Sequence, residues 1–184
     1  MSIILGIDPG SRITGFGVVR LRQLQASSLE TLGYGVIQLD PAMPFALRMK
    51  ELGESLQEIL KKYKPESVAI EKIFLGKNAD SAFKLGHARG VAMYESVRAN
   101  AEVFEYATRV VKKGITGKGN ASKEEVQVVL ERLLGLRHIQ RIDASDALAM
   151  AAHHAFSLTH QQTLRRGLKA SGRKNSFEKE GAKV

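Results

Sequence analysis

Apolar residues near the start of the chain lie in continuous or alternating runs, and from Phe45 they fall three and four apart. Ile3-Ile4-Leu5-Gly6-Ile7 has no polar interruption, the pattern of a central strand covered on both faces. Asp8-Pro9-Gly10-Ser11 supplies turn residues. Thr14 to Leu21, with Gly15 and Gly17, reads as a second strand paired to the first, and Leu29 to Leu39 as a third. Together they form an antiparallel meander. Met49, Leu52, Leu56, Ile59, Leu60 and Tyr63 then share one helical face, which stops before Pro65. Ser67 to Glu71 reads as a buried strand ending at a carboxylate. A helix from Ala79 to Ala99 follows, then a strand from Val103 to Ala107, a loop, and a helix from Lys123 to Leu134. Ser122 and Glu125 form a capping-box pattern at the start of that helix. A last helix begins near Asp143 and runs through Ala144, Ala147, Leu148, Ala151 and Ala155. This order of elements predicts an α/β fold: a mixed five-stranded sheet flanked by helices. No internal repeat interrupts it.

Composition narrows the functional classes. The 184 residues suit one domain, and with no cysteine there is no disulfide framework, thiolate metal site or cysteine nucleophile. No apolar run is long enough to span a bilayer, and Asp8 breaks the only apolar stretch near the start, so no secretory signal is expected. The expectation is a cytoplasmic protein without a membrane association. The net charge of +9 favours a polyanion, nucleic acid first. That charge is uneven. Residues 157–184 carry seven basic and two acidic residues, a net of +5, whereas residues 1–156 carry 21 basic and 17 acidic, a net of +4. The reading is therefore a domain over 1–156 and a basic C-terminal tail over 157–184, disordered in part.

The acids are more informative than the net charge. Asp8 and Glu71 each end an apolar strand, and ligands of such sheets bind beyond the carboxyl ends of the strands. Asp143 and Asp146 are three apart and share a helix face. Four carboxylates brought together repel unless a cation sits among them. An oxygen-only set selects Mg²⁺ or Mn²⁺ over zinc, and two such ions can clamp an in-line phosphoryl displacement. Each acid alone has a plainer explanation. Asp8 before Pro9-Gly10 is also a turn residue, Glu71 also a solvated strand end, and Asp143 also a helix cap. Their joint placement favours the site.

Lys112 to Lys123 contains four lysines (Lys112, Lys113, Lys118, Lys123), three glycines and no acid. It ends at a helix N-terminus, which suits a phosphate; it lacks P-loop spacing, and composition alone slightly favours a solvated loop. Phe74, just past Glu71, suits stacking on an unpaired base or core packing. Ala82, Gly86 and Gly90 recur every four residues, a small-residue stripe for intrachain packing or a two-fold contact. His87, His153 and His154 read as surface or packed histidines.

Taken together, these segments resemble a known family. Ile4-Leu5-Gly6-Ile7-Asp8-Pro9-Gly10-Ser11 with Thr14-Gly15-Phe16-Gly17, Ala69-Ile70-Glu71 with Phe74, Lys77-Asn78-Ala79-Asp80-Ser81-Ala82, Leu85-Gly86 with Ala88-Arg89-Gly90, and Asp143-Ala144-Ser145-Asp146-Ala147-Leu148-Ala149 are similar, in order, to the RuvC family of Holliday-junction endonucleases. The resemblance spans about residues 1–156. It implies a ribonuclease H-like fold and a homodimer that cuts two symmetric strands of a four-way DNA junction, leaving ligatable nicks. It further implies Mg²⁺-dependent hydrolysis with two ions per site, Mn²⁺ substituting, and partnership with the RuvA and RuvB branch-migration proteins. Asp8, Glu71, Asp143 and Asp146 match the family's catalytic, metal-binding positions. Phe74 matches its base-stacking aromatic, and Lys112 and Lys123 match its DNA contacts; Lys118 lies on the same basic segment. Two other readings stay open at this point. One is an ATPase using the Asp8–Gly17 hairpin as a phosphate loop, for which 184 residues supply only half the nucleotide enclosure. The other is a basic DNA-binding protein whose acids are structural.

Overall fold

The computed structural model describes residues 1–22, 29–72 and 79–180, with side chains as far as residue 164. Among these residues five strands form one sheet in the order β3-β2-β1-β4-β5: β1 (Ser2–Asp8), β2 (Ile13–Leu21), β3 (Leu29–Gln38), β4 (Ser67–Glu71) and β5 (Glu102–Tyr106). The first three pair antiparallel, and β4 and β5 continue parallel to β1. This is the mixed, helix-flanked sheet of a ribonuclease H-like fold, as expected. The helices are α1 (Phe45–Tyr63), α2 (Ala79–Arg98), α3 (Thr108–Thr116), α4 (Lys123–Leu134) and α5 (Ile142–Glu180).

The helix ends follow from local chemistry. α1 stops where Lys64 turns left-handed (φ 48°) and its N–H caps Leu60, just before Pro65. α4 starts on the expected capping box: Ser122 Oγ accepts from the Glu125 N–H, and the Glu125 carboxylate accepts from the Ser122 N–H. Two helical features depart from expectation. Thr108–Thr116, read as the start of a loop, is helix α3, which buries Val111 and Ile115 and ends on left-handed Gly117. The last helix, expected through Ala155, runs on to Glu180.

Strand alternation divides the core. Leu5, Ile7, Val18, Val68 and Ile70 face one way, onto Leu52, Leu56 and Leu60 of α1 and Ala88 and Ala92 of α2. Ile4, Val19 and Ala69 face the other way, onto α3, α4 and the alanines of α5. Asp8 has the parity of Ile4 and Gly6, and Glu71 that of Ala69. Both acids therefore lie on the α5 side. Among the described residues no helix is long and apolar enough to cross a membrane.

Candidate active site

β1 and β4 run parallel, with Ile7 beside Ile70. The next residue on each strand is an acid, so Asp8 and Glu71 emerge on the same edge, one strand apart. The third acid comes from α5. Opposite β1, Gly17 pairs with Gly6 and Gly15 with Asp8. A Cβ at Gly6 would overlap the Ala147 carbonyl, one at Gly15 the Asp143 carbonyl, and one at Gly17 the backbone of Leu148. With no side chains between them, α5 lies directly on the strands, and its first turns stand over the end of β1.

The result is a cavity of about 130 Å³ lined by Asp8, Glu71 and Asp146, by Lys112 and Lys123, by Thr108, and by the apolar Val111, Val126, Ala149 and Met150. Burial, then the charges of Glu71 and Asp146, push the Asp8 carboxyl up to about 8. Burial also raises Asp146, although the Lys123 ammonium beside it pulls the other way. Lys123 Nζ donates to Asp146 Oδ2 at 2.6 Å, and that bond raises the lysine in turn. Lys112 Nζ donates to the Ala121 carbonyl at 2.6 Å and so secures the turn that leads into α4 and Lys123. The Thr108 hydroxyl donates to Glu71 Oε1.

The predicted residues are thus partly assembled. Asp8, Glu71, Asp146, Lys112 and Lys123 share the cavity. Asp143, one turn earlier on α5, acts electrostatically on Asp146 and Lys123 but does not line it. Lys118 borders a separate groove with Thr116, Glu124, Glu125 and Val128. Phe74 lies outside the described residues. Lys112 sits on α3 rather than on a loop. Thr108 carried no sequence signal, because its place depends on how β5 turns into α3.

Among the described residues, no three acids or histidines converge tightly enough to hold an ion as they stand. The donor set fits a hard divalent cation nonetheless. It is all oxygen, and crowding and burial make Asp8 hold a proton that such a cation would displace. The Lys123 ammonium already partly balances Asp146. A larger cavity, about 470 Å³ between the C-terminal ends of α1 and α2, is lined by Lys61, Lys64, Glu95 and Arg98 and contains none of the predicted residues.

A family model described as crossover junction endodeoxyribonuclease RuvC matches residues 4–154. The crossover junction endodeoxyribonuclease RuvC of Bdellovibrio bacteriovorus is 60% identical over 166 residues, covering 90% of this chain and 97% of that protein. That of Haemophilus ducreyi is 48% identical over 160 residues, covering 87% and 81%. Among solved structures, T. thermophilus RuvC in complex with Holliday junction substrate has a TM-score of 0.82 at 31% identity, covering 88% of this chain and 97% of that one. A yeast mitochondrial Holliday junction resolvase, at 12% identity and a TM-score of 0.56, shares the fold.

Proposed function

This chain belongs to the RuvC family of crossover junction endodeoxyribonucleases, and from that premise we propose how its acidic pocket resolves four-way DNA junctions. The observation that carries the reading is the convergence of Asp8, Glu71 and Asp146 from three elements, with Lys112 and Lys123 at the rim.

Asp8, Glu71 and Asp146 would hold two Mg²⁺ ions, or Mn²⁺ in their place, with Asp143 adding negative charge or a further ligand from the turn before. When bound, the ions supply an acidified water nucleophile and balance the charge of the leaving 3′ oxygen. Lys123 orients Asp146 and opposes the rise that burial imposes on its carboxyl, and with Lys112 attracts the scissile phosphate. Lys118, exposed on the neighbouring groove, contacts the DNA backbone farther out. Phe74 stacks on a base left unpaired at the crossover. The segment after Phe156 adds loose, salt-sensitive affinity for DNA.

The enzyme acts as a homodimer that cuts two strands. Phe83, Tyr94 and Val97 are 69%, 64% and 63% exposed on α2. A Cβ at Gly86 or Gly90, on the same helix, would meet nothing within 4 Å. An apolar, small-residue face of this kind suits a second copy packed across a two-fold axis. RuvA and RuvB branch-migration proteins deliver the junction, and the work is done in the cytoplasm.

The test is cleavage of a synthetic four-way junction beside a matched duplex in Mg²⁺, with Asp8→Asn as the variant. The junction is cut and the duplex spared. Asp8→Asn loses about a thousandfold in rate, ~4 kcal/mol of barrier, while still binding the junction. A variant that cleaves like the parent would make the acids structural and leave a DNA-binding protein.

A further inference from the structure

We propose that Thr108 is a positioning residue for the nuclease reaction, holding the Glu71 carboxylate in its working orientation through the hydrogen bond from its hydroxyl to Glu71 Oε1. The inference rests on the nuclease reading above and adds a residue to it.

Glu71 is the last residue of β4, and beyond its Cβ nothing in the strand fixes its carboxylate. Three torsions separate that carboxylate from the backbone, and a glutamate left free keeps the full rotamer entropy of a long side chain. Thr108 is built to remove that freedom. Its side chain is branched at Cβ and stiff at χ1. Its backbone is tied to the same sheet rung: Glu71 pairs with Tyr106 across β4 and β5, and the Lys72 N–H donates to the Tyr106 carbonyl at 2.8 Å. Two residues past Tyr106, Thr108 opens α3, whose first turn is closed by the Val110 and Val111 N–H groups on the Ala107 carbonyl. α3 is itself seated firmly. Val111 and Ile115 are buried, and a Cβ at Gly114 would overlap the imidazole of His153 on α5.

The hydroxyl also forgoes a common alternative. Threonine near a helix start often caps a backbone N–H, whereas the cap position here, Ala107, has no side-chain hydrogen bond and the Thr108 hydroxyl donates its hydrogen bond to the Glu71 carboxylate. Glu71 Oε1 is thereby engaged from the cavity wall, by a residue that is not itself an acid. One side chain thus couples the strand that carries Glu71 to the helix that carries Lys112.

Three variants of the full chain separate the hydroxyl from the methyl group. Thr108→Val keeps the shape and removes the donor, Thr108→Ala removes both, and Thr108→Ser keeps the donor. Two readouts are needed: single-turnover junction cleavage, and binding of Mn²⁺ alone, without DNA, followed by water-proton relaxation. The Val and Ala variants should each lose 10- to 100-fold in cleavage rate and in Mn²⁺ affinity, with junction affinity in chelator unchanged; the Ser variant should stay within about threefold of the parent. The inference is overturned if the Val variant matches the parent in both readouts, or if the Ser variant falls as far as the Val variant. Glu71→Gln is the companion measurement. If it still cleaves at the parental rate, the nuclease reading of the pocket fails. If it is inactive while Thr108→Val is fully active, only the role of Thr108 fails.

Discussion

On the α1/α2 side of the sheet, Leu5, Ile7, Val18, Val68 and Ile70 project into Leu52, Leu56 and Leu60; on the α5 side, Gly6, Gly15 and Gly17 leave helix backbone resting on strand backbone among alanines. The first interface is filled by flexible side chains, which repack around small changes at modest cost. At Gly6 and Gly15 the second has no such filler, so an added Cβ there meets helix main chain. Asp8 and Glu71 project into the second interface, and Asp146 descends from its helix. Close backbone contact fixes where the acids stand, and the leucine-rich side supplies bulk stability.

Adding one methyl group on each side tests that difference most directly. Gly6→Ala would push its Cβ into the Ala147 carbonyl, and the expected loss is on the order of 4 kcal/mol, read as a lower urea midpoint or as failure to fold. A fully stable Gly6→Ala would mean that α5 is not seated by backbone contact.

Acid titration gives the next largest effect, also on the α5 side. Asp8, pushed up to about 8 against an ordinary 3.8, keeps in the folded state a proton that the unfolded chain releases. Its contribution to stability is therefore present at low pH and is lost as pH rises toward and through 8. His154 acts with the opposite sign. Burial and the neighbouring His153 hold it down to about 4 against 6.5, so it costs stability only as pH falls below about 6.5. His153, also held down by burial, acts in the same sense as His154; above about pH 7 both are neutral folded or unfolded, so the window from pH 7 to 8 isolates Asp8. Urea unfolding of the protein in chelator should lose about 1 kcal/mol across that window, and Asp8→Asn should be flat. A flat parent profile would show that Asp8 is not crowded by its neighbours.

The smallest effect belongs to the α1/α2 side and has the reverse sign. Gly53 lies inside α1, where a Cβ would make ordinary contacts with Val91 at 3.5 Å and Glu95 at 3.6 Å. Gly53→Ala should raise stability by about 0.5–1 kcal/mol through helix propensity, seen as a higher urea midpoint. A loss comparable to that of Gly6→Ala would erase the distinction between the two faces.

Much of this was legible in the sequence wherever a local signal existed. Apolar runs marked the strands, the Lys64-Pro65 step marked the end of α1, and Ser122 with Glu125 marked the start of α4. The acids at the ends of β1 and β4 could be placed on one edge because parallel buried strands end together. α3 has little local signal because it is nine residues long and has no side-chain cap at Ala107. Val111 and Ile115, four apart and followed by Gly117, were its faint trace. Past Ala155 only Phe156 and Leu158 carry the apolar face of α5 onward to the core, too short a stretch to announce the rest of the helix. Gly15 and Gly17 were visible as glycines, but their purpose needs the helix that rests on them. Thr108 depends on the β5–α3 junction, which no short stretch of sequence encodes.

The parallel seam between β1 and β4 has a consequence for how such a centre can change over time. Asp8 and Glu71 follow the Ile7–Ile70 rung, so the interval between their Cα atoms is one inter-strand step, roughly 4.8 Å, set by peptide hydrogen bonds. That gauge is common to every sheet and insensitive to which side chains surround it. Substitutions can exchange an acid for another group or retune its proton, but they cannot stretch the gauge. A chain that keeps these two strands adjacent therefore keeps the spacing of the pair, whatever the helices that complete the pocket do.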